Sequence, residues 1–424
     1  MDYALNRVRV LPGALPGGVA AGIDWASACH AVCVVDAAGN RKDEFTAGHD
    51  RAGIAGLIAR LRDSGAGEAA IERGDGVLVD ALAAAGFTVV VITSRQVRNL
   101  RSRYVASGAK DDGFDAFVLA DTLRTDRARL RPLVPDAPAT LALRKACRYR
   151  KDLVRDRVRA ANRLRAHLEA VFPGAAGLFA ALDGPLSLAF LDAFPTSEAA
   201  AGLDEAGIAA WLRAVPLRTG AARPGVLAAR LAAAAPGTAC GPGQAALTRQ
   251  MAGAAANAAA RAAAVEDEIA ALLAVHPDRH IFASLPRAGT VRAARLLAEI
   301  GDCRSRYPDA AALAGAAGVS PVTRRSGKWV SHQFRRDVNS HLRDALCDFA
   351  GDSRRASPWA AAVYAAARSR GKDHPHAVRI LACAWTGVIW PCWQQGTAYD
   401  PQKHRALQDI LARQPAPGQD GQDP

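Results

Sequence analysis

A chain of 424 residues is long enough for two or three domains, each with its own hydrophobic core. Its formal net charge of +13 favours a polyanionic partner, since each phosphate that a cationic side chain neutralises releases counterions. The sequence shows no apolar run long enough to cross a bilayer and no signal-peptide core in residues 1–20, so we expect a cytoplasmic protein with no membrane partner.

Residues 21–138 alternate between short apolar runs and amphipathic stretches. Two strand-like runs within residues 21–36 end at a turn from Asp36 to Asn40, where we interpret Asp36 as a hairpin residue. The elements expected next are a helix at 50–62 with Ile54, Leu57, Ile58 and Leu61 on one face, an apolar run at 69–71, a helix near 76–86 and a strand at 88–92. Strands that alternate with helices predict an α/β domain with a partly parallel sheet.

Residues 139–172 are helical in pattern and strongly basic. Five cationic side chains at three- and four-residue steps line one stripe of this helix: Arg144, Arg148, Lys151, Arg155 and Arg159. An apolar seam at seven-residue steps lies beside the stripe: Cys147, Val154, Ala161 and Leu168. Such a helix either packs on its own domain or forms a coiled-coil-like arm that dimerises and binds nucleic acid. Ten basic residues against two acidic ones between 144 and 165 favour the arm.

The remaining segments are mostly helical in pattern, so the whole chain is expected to be α/β plus all-α. The Gly-, Pro- and Ala-rich segment 173–245 is interpreted as an insertion between two long helices, the second at about 246–275. The expected domains are an extension at 1–20, an α/β domain at 21–138, a helical region at 139–279, a helical domain at 280–412 and a polar, disordered tail at 413–424. The eight cysteines are scattered without metal-ligand spacing, and we expect them to be buried apolar side chains in a reducing compartment.

Four carboxylates lie where apolar runs end or a helix begins: Asp24, Glu72, Asp112 and Asp115. The last two are three residues apart at the start of an expected helix, which places them on one helical face. Carboxylates at strand ends can converge on one pocket and supply the oxygen ligands that hard cations need. A pair of Mg²⁺ ions held in this way can assist phosphoryl transfer. The set therefore indicates a magnesium site, although a strand-end acid taken singly is more often a turn or cap residue.

Other acids of this region compete with that set. Asp111 is the nearest competitor, because Asp111 and Asp115, four residues apart, could also share a helical face. The three-residue step to Asp115 favours Asp112 instead. Asp80 is interpreted as a charge on a helix surface.

Three segments resemble the DEDD-type transposases of the insertion sequence 110 family: GIDWASACHAVCVVD at 22–36, IERGDG at 71–76 and GAKDDGFDAFVLADTLR at 108–124. The resemblance implies a RuvC-like N-terminal domain with an RNase H fold. It places the metal-binding tetrad of the family on Asp24, Glu72, Asp112 and Asp115, with two Mg²⁺ ions as cofactors. The third motif of the family has Thr and Arg where this chain has Asp111 and Gly113, which changes the residues that flank the ligands.

The C-terminal half continues the resemblance. Residues 285–302 are similar to a helix-hairpin-helix, in which backbone N–H groups at a helix start hold a DNA phosphate. The segment LAGAAGVSPVTRRSGKW at 313–329 resembles the part of the family that carries its nucleophilic serine. The resemblance assigns that role to Ser326, whereas Ser320, which precedes a proline in an apolar setting, is interpreted as structural. Cations that would attract a phosphate and stabilise its charge flank Ser326: Arg324, Arg325 and Lys328.

The segment from Asn339 to Arg343 also resembles the family, although Val338 stands where the family has glycine. His341 in this segment is interpreted as a helix-surface side chain, with a phosphate contact as the alternative. The stretch 374–399 resembles the C-terminal helix of the family. Its tryptophans, with core burial as the first interpretation and base stacking as the second, are Trp385, Trp390 and Trp393.

Together these segments, over about residues 20–172 and 280–400, imply the transposase of a bacterial insertion sequence. It would act on double-stranded DNA, both element ends and target, with Ser326 attacking the phosphate to form a transient serine–DNA linkage. The family implies a homo-oligomer, a dimer or tetramer, and a structured noncoding guide RNA that chooses the DNA. Two alternatives remain open: a RuvC-like nuclease that cuts with water, and a non-enzymatic helical protein that binds nucleic acid.

Overall fold

The computed structural model describes residues 11, 13–104, 111–217, 222–235, 237, 243–336 and 338–413. Lys110, Cys240, residues 1–10 and 12 of the extension and residues 414–424 of the expected tail lie outside the described residues. The chain forms two compact units: Met1–Pro135 with Cys303–Pro308, and Asp136–Asp302 with Asp309–Pro424. The second unit therefore includes the helical region expected at 139–279 and most of the domain expected at 280–412.

The first unit contains a five-stranded mixed sheet. Its strands are β1 Val19–Asp24, β2 Cys29–Asp36, β3 Arg41–Gly48, β4 Glu68–Ile71 and β5 Thr88–Val91. The strand order is β3-β2-β1-β4-β5, in which β1, β2 and β3 pair antiparallel and β4 pairs parallel with β1 and β5. The predicted partly parallel sheet is confirmed and is consistent with the RNase H-like fold that the resemblance implies. Asp36 is a hairpin residue as predicted, since its carboxylate accepts the backbone N–H groups of Ala38 and Asn40.

Helices cover both faces of this sheet, because alternate residues of a strand point to opposite sides. One face carries α1 Arg51–Asp63 and α2 Val77–Ala84, and the other carries α3 Ser94–Arg101 and α4 Asp112–Thr125. Ala21 and Ile23 of β1 belong to the first apolar core, and Ala20 belongs to the second. The predicted inner face of α1 is largely confirmed, with Ile58 partly buried beside three buried residues: Ile54, Leu57 and Leu61.

The second unit is mainly helical. Its helices are α5 Pro138–Val171, α6 Pro173–Ala176, α7 Pro185–Ala193, α8 Glu205–Ala214, α9 Pro224–Ala232, α10 Gln244–Ala274, α11 Arg279–Ala283, α12 Gly289–Ile300, α13 Ala310–Ala317, α14 Ser340–Ser353, α15 Pro358–Ser369, α16 His374–Gln395 and α17 Arg405–Leu411. A two-stranded hairpin, β6 Val322–Ser326 and β7 Trp329–Gln333, interrupts the part that was expected to be helical throughout. Both long helices predicted from the sequence are present as α5 and α10.

Helices α5 and α10 pack against each other, and α12 packs on both. Cys147 and Leu168 of the predicted seam are buried, whereas Val154 and Ala161 are only partly buried. Leu153 and Ala160 are buried instead, because a helix with two neighbours buries a wider stripe than a coiled-coil seam. Half of the predicted seam is thus buried within the chain, which favours packing on its own domain over a dimerising arm.

The described part of segment 173–245 forms the short helices α6 to α9. Their apolar residues build a core around Phe190, which contacts Trp211 and Phe179 edge to face. Leu168 of α5 and Ala252 of α10 complete this core. The insertion is therefore a folded extension of the long helices.

The C-terminal helices pack around two tryptophans of α16. Trp385 and Trp393 are fully buried, and their indole N–H groups donate to Ser353 Oγ at 2.9 Å and to the Gly301 carbonyl oxygen at 2.8 Å. The core interpretation is confirmed for these two residues, and Trp390 is partly buried. A turn in which Arg287 has a φ of 58° joins the short α11 to α12. A DNA-phosphate contact at that turn stays a prediction.

The expectation that the cysteines are buried holds only in part. Cys33, Cys147 and Cys303 are buried, and Cys347, Cys383 and Cys392 are partly buried. The expectation is wrong for Cys29, which is exposed because it is the first residue of β2, at the edge of the packed region. Among the residues that the structure describes, none of the helices combines the length and apolar character that a bilayer crossing requires.

Candidate active site

Two of the four predicted acids lie at the carboxyl ends of adjacent parallel strands. Asp24 is the last residue of β1, and Glu72 directly follows β4. Ile23 pairs with Ile71 in the parallel register, so Asp24 and Glu72 occupy the next position on each strand. Because neighbouring strands lie about 4.8 Å apart, both carboxylates reach the same edge of the sheet.

Helix α4 brings the other two acids to this edge. It packs directly on β1 at Gly22, where a Cβ atom would lie 2.1 Å from the carbonyl oxygen of Ala116 and 2.4 Å from the backbone nitrogen of Ala120. Only glycine permits so close an approach. Asp112 and Asp115 lie in the first turn of α4, and the close packing of this helix on β1 places them beside Asp24.

The competing acids have structural roles. Asp111 caps α4, since its carboxylate accepts the backbone N–H groups of Gly113 and Phe114. Asp121, a further acid of α4, is held by Tyr104 and Arg124, and burial together with the Asp121 hydrogen bond raises the pKa of Tyr104 to about 12. Asp80 is exposed on α2, as predicted. Among the described acids, Asp112 rather than Asp111 therefore brings a carboxylate oxygen close to Asp115 and Asp24.

The geometry of the acids fits a divalent ion. One carboxylate oxygen from each of Asp24, Asp112 and Asp115 lies within 4.8 Å of the others. In an octahedral Mg²⁺ site with bonds of about 2.1 Å, neighbouring oxygens lie about 3.0 Å apart and opposite oxygens about 4.2 Å apart. Small side-chain movements would therefore satisfy one ion. Glu72 lines the same cavity, which has a volume of about 420 Å³, and its hard oxygen donors also suit Mg²⁺.

Helix α3 contributes cavity residues that were not predicted from the sequence. Ser94, Arg98 and Arg101 follow one another at four- and three-residue steps, so one face of α3 lines the acidic cavity. Ser94 Oγ donates a hydrogen bond to Glu72 Oε2 at 2.6 Å. Arg101 donates to both carboxylate oxygens of Asp115, which is buried. The helical spacing of these residues was a visible signal, but nothing in the local sequence connects it to the acids.

Trp25 forms a wall of the cavity directly after Asp24. The guanidinium of Arg73 lies 4.4 Å from its ring centroid, and the rings of His30 and His49 contact it from within the unit. His30 Nε2 and His49 Nδ1 share a hydrogen bond of 2.9 Å. Burial lowers the pKa of His30, and the neighbouring His49 lowers it further. The His30 imidazole beside Trp25 therefore resists protonation near neutral pH.

Ser326 lies at the tip of the β6–β7 hairpin, in the second unit. It pairs with Trp329, and the turn between them consists of Gly327 and Lys328. Gly327 has a φ of 55°, the left-handed conformation that two-residue hairpin turns favour. Ser326 is exposed, whereas the alternative Ser320 lies before the hairpin and is partly buried. The flanking cations are exposed as well: Arg324, Arg325 and Lys328.

The hairpin also displays aromatic side chains that were not predicted as functional. Trp329 is 58% exposed and Phe334, directly after β7, is 42% exposed. Apart from their mutual pairing, neither strand packs extensively on another element of the described chain. The hairpin therefore presents a hydroxyl, cations and aromatic rings together on one ribbon.

The basic stripe of α5 is largely neutralised by acids of its own unit. Arg148 donates to both oxygens of Glu299 at 2.8 Å, and Lys151 pairs with Asp344. Arg144 binds Asp136 and the Ala298 carbonyl oxygen, while Arg155 and Arg159 pair with acids one turn earlier on α5. The partners of the first three lie far along the chain or outside the helix, so the sequence pattern alone overstates the free charge. Arg155 and Arg159 are the more exposed members.

The sequence matches two family models. One, described as a transposase of the DEDD type of IS110 elements, covers residues 21–173, and the other, described as a transposase of the IS116/IS110/IS902 family, covers residues 279–365.

Relatives match over nearly the whole chain. The IS117 mini-circle protein of Streptomyces coelicolor is 34% identical over 404 residues, which cover 90% of this chain and 95% of the relative. The 42 kDa protein of insertion element IS900 from Mycobacterium paratuberculosis is 30% identical, with 90% and 97% covered. The 44.8 kDa protein of insertion element IS116 from Streptomyces clavuligerus is 28% identical, with 90% and 96% covered. This chain belongs to the IS110 family of insertion-sequence transposases, which makes it a DNA recombinase.

Proposed function

We propose that this transposase cuts and rejoins DNA with two sets of residues: a divalent-ion site on Asp24, Glu72, Asp112 and Asp115, and a nucleophilic hydroxyl on Ser326. The observation that carries the proposal is the convergence of Asp24, Asp112 and Asp115 from distant parts of the chain. Mg²⁺, when bound there as one ion or a pair, supplies positive charge that stabilises the oxygens of a phosphodiester during transfer.

The residues around the acids hold them in place. The Ser94 hydroxyl fixes one oxygen of Glu72, and Asp111 fixes the start of the helix that carries Asp112. Arg101 holds both oxygens of Asp115, so this carboxylate has a single orientation before any ion arrives. Such preorganisation lowers the cost of assembling the site around a phosphate.

In the proposed strand transfer, Ser326 Oγ loses its proton and forms a bond to phosphorus. One sugar oxygen leaves the phosphorus and takes up a proton, which gives a serine–DNA phosphodiester and a free hydroxyl end. In rejoining, a sugar hydroxyl attacks that linkage, and Ser326 regains its proton. Positive charge for the phosphate comes from the side chains flanking the serine: Arg324, Arg325 and Lys328.

The proposed partners are double-stranded DNA, at the element ends and the target, and a structured guide RNA. Family membership supports the DNA, and the formal charge of +13 suits either nucleic acid. Arg155 and Arg159 are the members of the α5 stripe best placed for this contact, because their ion pairs are exposed and such pairs contribute little. We also propose a homo-oligomer, a dimer or tetramer, on the family resemblance alone.

A strand-exchange assay on a plasmid with both element ends and a target tests this function. Asp112→Asn should abolish cleavage, because it removes a charged ligand, while Asp80→Asn on the surface of α2 is the matched control. Ser326→Ala should abolish strand transfer and the covalent protein–DNA adduct seen on denaturing gels, while Ser320→Ala should retain both.

The alternatives predict other results. If the protein is a nuclease that uses water, the Ser326→Ala variant still cleaves DNA and no covalent adduct forms. If it is a non-enzymatic binding protein, Asp112→Asn leaves its nucleic-acid binding unchanged and binding does not depend on Mg²⁺. If strand transfer survives Ser326→Ala but is lost in Ser320→Ala, the nucleophile is Ser320.

A further inference from the structure

A cavity of about 490 Å³ opens in the second unit between α5, α14 and α16. The first turns of two helices contribute to it, with Ser340 and His341 from α14 and His374 from α16. It shares no lining residue with the acidic cavity. Its lining residues are therefore separate from the proposed ion site and from Ser326.

The lining is rich in cations. Its basic and imidazole side chains are Lys151, Arg155, His341, Arg343, His374 and Arg379. The lining, as far as the structure describes it, contains one acid, Asp344, which forms ion pairs with Lys151 and Arg295. Arg155 pairs with Asp152 on its own helix, at the surface. The cavity thus retains positive charge that carboxylates of the described chain do not offset.

Arg343 and Arg379 carry most of that remaining charge. Neither has a carboxylate partner within the described residues, and both guanidinium groups lie over the ring of Phe334, at 5.0 Å and 4.1 Å from its centroid. Nη1 of Arg343 is buried and has no hydrogen-bond partner in the described part of the chain. A buried guanidinium N–H without an acceptor destabilises the protein, so an anion that accepts a hydrogen bond from this group would bind favourably.

The pKa of His341 also reflects the positive charge around the cavity. Burial lowers the pKa of His341, and the charges of Arg148, Lys151 and Arg155 lower it further. The imidazole is therefore neutral near pH 7 and can donate or accept a hydrogen bond. The Phe334 ring, which is 42% exposed, offers an apolar surface for a sugar or base beside the cations.

We infer that this cavity binds a backbone phosphodiester of nucleic acid, held by Arg343 and Arg379. Guanidinium groups match the paired oxygens of a phosphate better than a lysine ammonium does. Phe334 directly follows the hairpin that carries Ser326, so both arginines contact the chain segment next to the proposed nucleophile. The inference rests on the proposed function for the class of ligand, but not on the carboxylates or on the serine.

The test measures binding of the full chain to two fluorescein-labelled probes in EDTA: a random-sequence DNA duplex and a stem–loop RNA. Arg343→Gln with Arg379→Gln should weaken binding about tenfold and reduce the magnitude of the salt slope, d log K/d log [salt], by about 1, the contribution of one phosphate. The matched control is Lys403→Gln with Arg405→Gln, which removes the same charge from an exposed segment outside the cavity.

The controls separate this inference from the proposed function. Because EDTA removes any bound ion, this binding readout depends neither on the carboxylate site nor on the Ser326 chemistry, and Asp80→Asn on the surface of α2 should bind as the wild type does. A loss confined to DNA or to RNA supports the inference and identifies the ligand. A double variant that binds both probes no worse than the surface control overturns it. If that variant melts at a lower temperature, Arg379→Gln alone decides, because among the described residues its guanidinium contacts the Phe334 ring and forms no ion pair.

Discussion

Replacing Gly22 by alanine should dismantle the acidic site although it replaces none of the acids. The new Cβ atom would lie 2.1 Å from the Ala116 carbonyl oxygen, whereas ordinary contacts begin at 3.4 Å. Helix α4 must therefore move from β1 by about 1.3 Å, the difference between these two distances. That movement carries Asp112 and Asp115 away from Asp24. A misplacement of about 1 Å can reduce a rate about 100-fold.

Two measurements check this expectation. Strand exchange should fall about 100-fold, and Mn²⁺ binding followed by calorimetry should weaken in parallel. Overpacking should also lower the free energy of unfolding by about 1–3 kcal/mol. Gly56→Ala in α1 is the matched control, because its Cβ would meet open space and alanine favours a helix. Wild-type exchange and ion binding in Gly22→Ala would refute the role assigned to this close approach.

Three further results are expected. Arg101→Gln should weaken Mn²⁺ binding about tenfold, because it releases the buried Asp115 carboxylate that Arg101 holds in one orientation; tighter binding in calorimetry would show that the Arg101 charge opposes the ion instead. Arg127→Met should lower the free energy of unfolding, measured in urea, by about 3–5 kcal/mol, because it leaves Glu68 unpaired where both side chains are only 4% exposed; a loss below about 1 kcal/mol would contradict this. Because the pKa of His30 is lowered in the folded protein, the unfolded chain binds more protons just below pH 6.5, and stability should decrease as the pH is lowered through this range. His30→Gln should therefore reduce the dependence of the melting temperature on pH between pH 7.5 and 5.5. An unchanged dependence would be the contrary outcome.

Much of the fold was readable because apolar periodicity marks buried elements. The elements predicted between residues 21 and 92, the start of α4 and both long helices of the second unit follow their predicted positions. Strand β3 was missed because its sequence, RKDEFTAG, is largely polar, as an edge strand with an exposed face allows. The β6–β7 hairpin was missed because short exposed strands carry no apolar signal, as their burial pattern shows.

The candidate site was predicted only as far as local spacing reaches. Asp24 and Glu72 are recognisable as strand ends, and the helical step from Asp112 to Asp115 is visible in the sequence. The contact of Arg101 with Asp115 depends on how α3 and α4 pack, which no local pattern encodes. The same reason explains why the neutralisation of the α5 stripe was not predicted, because Arg148 binds Glu299, which lies 151 residues away along the chain.

The isolated hairpin that carries Ser326 has a consequence for the timing of cleavage. Two strands without a third, and without a supporting core, have little intrinsic order in water. Such a ribbon acquires a fixed shape chiefly from whatever lies along it. Under the proposed function, the Ser326 hydroxyl would therefore be aimed only while DNA lies along the hairpin, and a brief encounter with chromosomal DNA that leaves the hairpin uncovered would leave that DNA uncut.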